Sequence, residues 1–175
     1  MRYFLSLCLF LSAPICYCQT TPLPKLPLQA NKIIYTAKIT TGPSVNKERL
    51  FSNAQDWYRH NYESADNTFI INNIDQGIIS GTGIIHTRKH KKGAAPGDLF
   101  FNVAILAGKG SYEYTIDSIY TLEDTTKVYY SDMYNEALYP PAKTRWPQNY
   151  KTSMLLSMDE RITAMIEKLK ADMLK

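Results

Sequence analysis

The chain has 175 residues, a net charge of +4, 45% hydrophobic residues and 21% charged residues. These are the proportions of a folded protein, not of a disordered tail or a strongly basic nucleic-acid binder. All three cysteines fall within the first eighteen residues. A chain cut after Cys18 has no thiol, which excludes disulfides, thiolate nucleophiles and cysteine-ligated zinc.

Arg2 supplies a positive n-region, and residues 4–15 form an apolar stretch too short to cross a bilayer. Cys16-Tyr17-Cys18 then places small side chains at the two positions a signal peptidase reads. Residues 1–18 are therefore read as a signal peptide cleaved before Gln19, and the mature protein as exported, periplasmic or extracellular. A lipid-anchored form beginning at Cys16 or Cys18 is the rival reading, although Ile15 and Tyr17 are bulky where a lipobox carries a small residue. Cleavage leaves about 157 residues, a single-domain length able to bury about two thirds of its unfolded surface. No later run is long and apolar enough to predict a transmembrane segment.

Pro22, Pro24 and Pro27, interleaved with leucines, predict an extended lead over residues 19–31, either a tether or a strap on the domain. The domain itself is expected over 32–175. Its first strand is predicted over 32–41, where β-branched residues and Tyr35 are dense, and Gly42-Pro43-Ser44 breaks it. Leu50, Phe51, Ala54, Trp57 and Tyr58 recur at helical spacing opposite Lys47, Glu48, Asp56 and Arg59, which predicts an amphipathic helix. Phe69, Ile70, Ile71 and Ile74 begin a series of strands, and Asp75-Gln76-Gly77 reverses the chain.

The return strand spans 78–86, with Gly81 and Gly83 on one face marking a bulge or a close backbone approach. Residues 99–106 form the next strand, with Phe101, Val103 and Ile105 on one face, and Gly108-Lys109-Gly110 turns it back. Tyr112, Tyr114, Ile116, Ser118 and Tyr120 then alternate with Glu113, Thr115, Asp117 and Ile119, predicting a strand with one buried face. Residues 127–150 read as aromatic and irregular. A capping box at Ser157-Met158-Asp159-Glu160 predicts a helix start, and Leu155, Met158, Ile162, Met165, Ile166, Leu169 and Met173 form its core-facing stripe.

The order is that of an α+β domain, with helices layered on a sheet. The Trp57 helix, the Asp75-Gln76-Gly77 turn leading to Gly81-Thr82-Gly83, and Lys109-Gly110-Ser111-Tyr112-Glu113-Tyr114-Thr115-Ile116 resemble the uncharacterised family known as domain of unknown function 4468. The resemblance spans about 33–119. It implies a TBP-like fold: a curved antiparallel β-sheet with one helix after the first strand and a long C-terminal helix packed on one face. It further implies an exported protein of Gram-negative bacteria, and it transfers no functional positions. TBP bends DNA with paired aromatic wedges; none can be placed on this chain, and a nucleic-acid partner is not expected.

The densest cationic cluster contains Arg88, Lys89, Lys91 and Lys92, which could hold a phosphate, an anionic glycan or an acidic headgroup, or simply form a solvated hairpin tip. His86 and His90 do not read as a metal pair, because i,i+4 spacing aligns ligands on a helix and the neighbouring cations repel a divalent ion. Gly108-Lys109-Gly110 lacks the spacing of a phosphate loop, Gly81-Thr82-Gly83 lacks the third glycine of a dinucleotide fingerprint, and Ser80 is not in a nucleophile elbow. His60 is read as meeting the dipole at its helix's C-terminus, rather than as a base paired with Glu63 or Asp66.

Tyr129, Tyr130, Tyr134, Tyr139 and Trp146, with Lys143 and Arg145 nearby, could stack on sugars or anchor a peptide, or could pin a loop to the domain. No catalytic residue, metal ligand or cofactor is assigned. The reading is an exported, non-catalytic binding or assembly module with an envelope protein or glycan as partner. The alternative is a small envelope-polymer hydrolase drawing on distant carboxylates such as Glu63, Asp66, Asp132 and Glu136.

Overall fold

The computed structural model describes residues 21–62, 69–86 and 97–175. The expected signal peptide, the Gln19 cleavage point, Glu63, Asp66, His90 and the cluster Arg88, Lys89, Lys91 and Lys92 lie outside the described residues.

Leu26 is buried and Leu23 packs against the core, so the described part of the proline-rich lead is a strap on the domain. It runs into β1 (Leu28–Gln29), which pairs with β2 (Lys32–Ile33) through a turn with Ala30 and Asn31 at positive φ. The single strand expected over 32–41 is divided, because the Ile34 N–H turns back to Pro27 O at 3.0 Å before β3 (Tyr35–Thr40) begins. Asn46 caps α1 (Lys47–Tyr62) by accepting the Arg49 N–H at 2.9 Å. The predicted apolar face of α1, from Leu50 to Tyr58, is buried.

Four strands follow: β4 (Phe69–Asn73), β5 (Ile78–Ile85), β6 (Leu99–Gly108) and β7 (Ser111–Glu123). Gly77 at φ 70° and Gly110 at φ 69° make their turns, as the hairpin reading required. The residues expected to be irregular are largely regular. β8 (Thr126–Tyr129) leads straight into α2 (Tyr130–Leu138), which buries Tyr130, Met133, Tyr134 and Ala137. That is i, i+3, i+4, i+7 spacing, a helical signal masked by the density of tyrosines and prolines around it.

α3 (Gln148–Met173) starts nine residues before the expected capping box. Pro147 ends the preceding loop, and Lys151, Thr152, Met154 and Leu155 already continue the buried face, so Ser157 and Glu160 sit in the helix interior where the amides are bonded within the helix. The expected stripe from Leu155 to Met173 is buried throughout.

The main sheet has the order β3-β7-β6-β5-β4 and is antiparallel throughout, with β8 also paired to β7. One edge of β7 serves two partners in turn: residues 111–116 pair with β3, and residues 120–123 with β8. Between them lies Ser118 at φ 51°, an extra residue that the partner strand β6 does not match. The bulge reverses the alternation. Ser118 and Tyr120, expected on the buried face, turn outward, while Ile119 and Thr121 enter the core. Helices α1, α2 and α3 share a single core with one face of the sheet.

Candidate functional site

Among the described residues the other face of the sheet carries no helix, and the strand register sets its composition row by row. Ile71, Ser80, Ala104, Thr115 and Thr36 form one row of mostly small and hydroxyl side chains. Thr82, Asn102 and Asp117 form a polar row beside it. Ile84, Phe100, Tyr120 and Tyr129 form a ridge. Phe100 stacks on Tyr120 with centroids 5.0 Å apart and planes 10° apart, Tyr129 tilts against Tyr120 at 5.5 Å, and Lys127 Nζ lies 4.7 Å from the Tyr120 centroid. Apolar side chains stand free around these rows: Ile70 is 70% exposed, and Ile71, Leu106 and Leu122 are each more than 40% exposed. The depression at the middle of the face measures only about 170 Å³.

At the rim of the same face, between the β1–β2 hairpin, β7, β8 and the start of α2, is a larger cavity of about 560 Å³. Asp117, Ser118, Tyr129 and Asp132 line it, together with the β1–β2 turn. A third cavity, of about 350 Å³, lies between the end of α1 and the end of α3 and is lined by His60, Asp56 and Lys168 among others. There His60 Nδ1 is 2.6 Å from Asp56 O of its own helix, in keeping with a helix-end role.

The aromatic candidates divide. Tyr130 and Tyr134 are buried in α2 and belong to the core, which corrects their reading as binding residues: their spacing on a helix points them inward. Tyr129 lies on the open face and Tyr139 is exposed. Trp146 is partly buried, and its indole N–H donates to Glu123 Oε1 at 3.0 Å, while Arg145 crosses its ring at 4.7 Å and reaches Glu123 Oε2 at 2.8 Å. This is the loop-pinning arrangement.

Glu136 completes the pin. Its Oε1 accepts the Thr144 hydroxyl at 2.5 Å and the Arg145 N–H at 3.2 Å, with Lys151 Nζ 3.9 Å away. Lys151 is buried, and donates to Glu136 O and Thr144 Oγ1. The Thr144 hydroxyl foremost, then the Arg145 amide and the nearby cations, hold the Glu136 carboxyl below its ordinary range. A general acid needs the opposite shift, so Glu136 is unsuited to that task in the hydrolase reading.

The residues on either side of the cationic segment, which itself lies outside the described residues, are held in place. Arg161 of α3 donates to Ile85 O and, at 3.3 Å, to Gly97 O, and His86 Nδ1 meets Asp98 Oδ2 at 2.9 Å. Lys109 sits in the β6–β7 hairpin turn, and Ser80 lies within β5. Among the described residues, no three His, Cys, Asp or Glu side chains gather as a metal-binding group, and no helix is long and apolar enough to cross a membrane.

A main antiparallel sheet with helices on one face and the other face open defines an α+β protein of TBP-like fold. Residues 35–122, half of the chain, match the family described as domain of unknown function (DUF4468) with TBP-like fold, and the chain belongs to that family. The match runs from β3 to β7, so the sheet and α1 carry it. A crystal structure of a DUF4468 family protein from Bacteroides ovatus is similar with a TM-score of 0.58 at 10% identity, over 82% of this chain and 89% of that one. A TBP-like protein from Parabacteroides distasonis is similar with a TM-score of 0.58 at 11% identity, over 82% of this chain and 96% of that one. No curated protein matches the chain.

Proposed function

We propose that this chain is an exported, non-catalytic binding or assembly module of the bacterial cell envelope, and that it holds a partner protein on the uncovered face of its sheet. The observation that carries the reading is the exposure of Ile70, Ile71, Leu106 and Leu122 on the same face as the Phe100–Tyr120 stack. Exposed apolar and aromatic side chains sharing one face with polar rows are the composition of a protein interface. A depression of about 170 Å³ is shallow for an enclosed small molecule, which favours a broad partner. The N-terminal pattern around Arg2 and Cys18 supports export.

The test is capture from an envelope extract with the mature protein and with a Phe100→Ser/Leu106→Ser variant, both substitutions lying on β6 and facing away from the core. A protein retained by the parent at moderate salt and lost by the variant supports the reading. Equal retention by both removes the open face as the contact surface. Turnover of an envelope polymer by the purified protein would replace the reading with the hydrolase alternative.

A further inference from the structure

Where β7 exchanges β3 for β8, Asp117, Ser118 and Ile119 have no paired strand on that edge, and the gap opens into the cavity of about 560 Å³. Such a volume suits a small molecule of one or two sugar rings. Its walls are latched. The Ile33 N–H donates to Ser131 Oγ at 2.9 Å, and Asn135 Nδ2 donates to Asn31 O at 3.1 Å, tying the β1–β2 hairpin to α2 across about a hundred residues of chain. Those bonds belong to the frame, and the Ser131 hydroxyl, which accepts here, keeps its own O–H.

Among the charged groups left to a ligand, acceptors outnumber donors. Asp117 and Asp132 line the cavity and make no hydrogen bond or ion pair with the described residues, and an ionised carboxylate accepts without donating. Lys32 is the one cationic side chain in the lining. A phosphate or carboxylate brings only more acceptors and a like charge. Hydroxyls and an ammonium group bring the donors that two carboxylates require. Tyr129, 39% exposed, adds an aromatic surface on which the C–H face of a sugar ring can lie.

We infer that this notch binds a saccharide unit free of acidic groups, with an amino sugar the best-matched form: its hydroxyls and ammonium donate to Asp117 and Asp132, and its ring lies on Tyr129. Asp117 and Tyr129 belong to the open face as well as to the notch, but Phe100 and Leu106 do not line the notch, so the two proposals can be tested by separate residues.

The experiment is a titration of the ¹⁵N-labelled mature protein with glucosamine, N-acetylglucosamine and glucuronate, read by amide chemical shifts. Glucosamine is expected to shift the amides of Asn31, Ser118 and Asp132, with at least a tenfold weaker response to glucuronate. Asp117→Asn/Asp132→Asn should abolish that preference, and Tyr129→Ser should weaken both amino sugars while leaving the spectrum of the fold intact. Silence at those three amides with all three sugars overturns the assignment. So does an equal response to glucuronate, or an unaltered preference in the double variant. The Phe100→Ser/Leu106→Ser protein should keep the sugar response, so failure of one proposal leaves the other readable.

Discussion

Gly83 and Phe101 face each other across β5 and β6, and the Phe101 ring fills the space where a side chain at position 83 would begin: a Cβ there would stand 2.3 Å from Phe101 Cζ. Phe101 has no room to swing away, being buried and set nearly at right angles to Tyr62 with centroids 5.4 Å apart. Gly83→Ala is expected to destabilise the protein by about 1–3 kcal/mol through overpacking. Urea unfolding measures this, and adding Phe101→Leu should restore part of the loss. An unshifted midpoint in the single variant would contradict the packing argument.

Ser118 holds a left-handed backbone at φ 51° to make the β7 bulge. A non-glycine residue there costs about 1–2 kcal/mol, and glycine gives back about half of that in unfolded-chain entropy. Ser118→Gly should therefore raise stability by about 0.5 kcal/mol, whereas Ser118→Val, β-branched at positive φ, should lower it by about 1 kcal/mol or more. Thermal unfolding of both variants gives the sign. Two shifts in the same direction would mean that the bulge is not held by this residue's conformation.

Buried phenols make the fold sensitive to alkali. The Tyr35 hydroxyl donates to Asp159 Oδ1 at 2.6 Å, and burial, with Asp159 as acceptor and charge, raises its pKa. Burial first, with smaller contributions from neighbouring groups at the last two, pushes Tyr58, Tyr112 and Tyr130 up to about 12. In the unfolded chain the same groups titrate near 10. The folded state thus binds more protons above that value, and stability present below pH ~10 is lost as pH rises from there towards 12. Melting temperature followed from pH 8 upward should fall only beyond about pH 9.5. Tyr35→Phe should flatten that fall and cost about 1.5 kcal/mol at neutral pH, where a hydrogen bond to a charged acceptor is lost.

Glu136 gives the acid limb its own signature. Its carboxyl is held down by Thr144 first, and then by the Arg145 amide and the cations around it. A depressed folded value contributes stability that is present above the unfolded value of about 4.3 and is lost as pH falls through the folded one. Glu136→Gln should make unfolding less dependent on pH below about 4. An acid transition of unchanged steepness in that variant would assign the sensitivity to other carboxylates.

Trp146 tests whether the loop between α2 and α3 is a pin. Trp146→Phe keeps an aromatic ring, though a smaller one, and loses the indole donor to Glu123. Amide hydrogen exchange across residues 139–147 should quicken about tenfold or more, the equivalent of about 1.5 kcal/mol for one hydrogen bond to a charged acceptor, with the sheet unaffected. Uniform acceleration over the whole chain would instead make Trp146 part of the global core.

Regular alternation and helical spacing were legible wherever they ran unbroken. Leu50 to Tyr58, Phe101 to Ile105 and Leu155 to Met173 all bury the faces their spacing implied, and the glycines at 77 and 110 turned where a positive φ was needed. The readings failed where the local signal was weaker than a distant constraint. Tyr130 and Tyr134 had helical spacing but looked like recognition aromatics, and the Ser157 box looked like a start because nothing local announces that a helix already begins after Pro147.

By itself the sequence determined the α+β order, the family resemblance and the absence of thiols after residue 18, because period, turn chemistry and composition are properties of short stretches. The tertiary structure alone decided that Tyr120 faces out and Ile119 in, that Glu123 and Glu136 immobilise the Trp146 loop, and that Asp117 and Asp132 share one cavity. Serine carries no local signal that it will adopt a left-handed backbone, and only β7, by pairing with β3, β6 and β8 at once, brings such distant residues to the same rim.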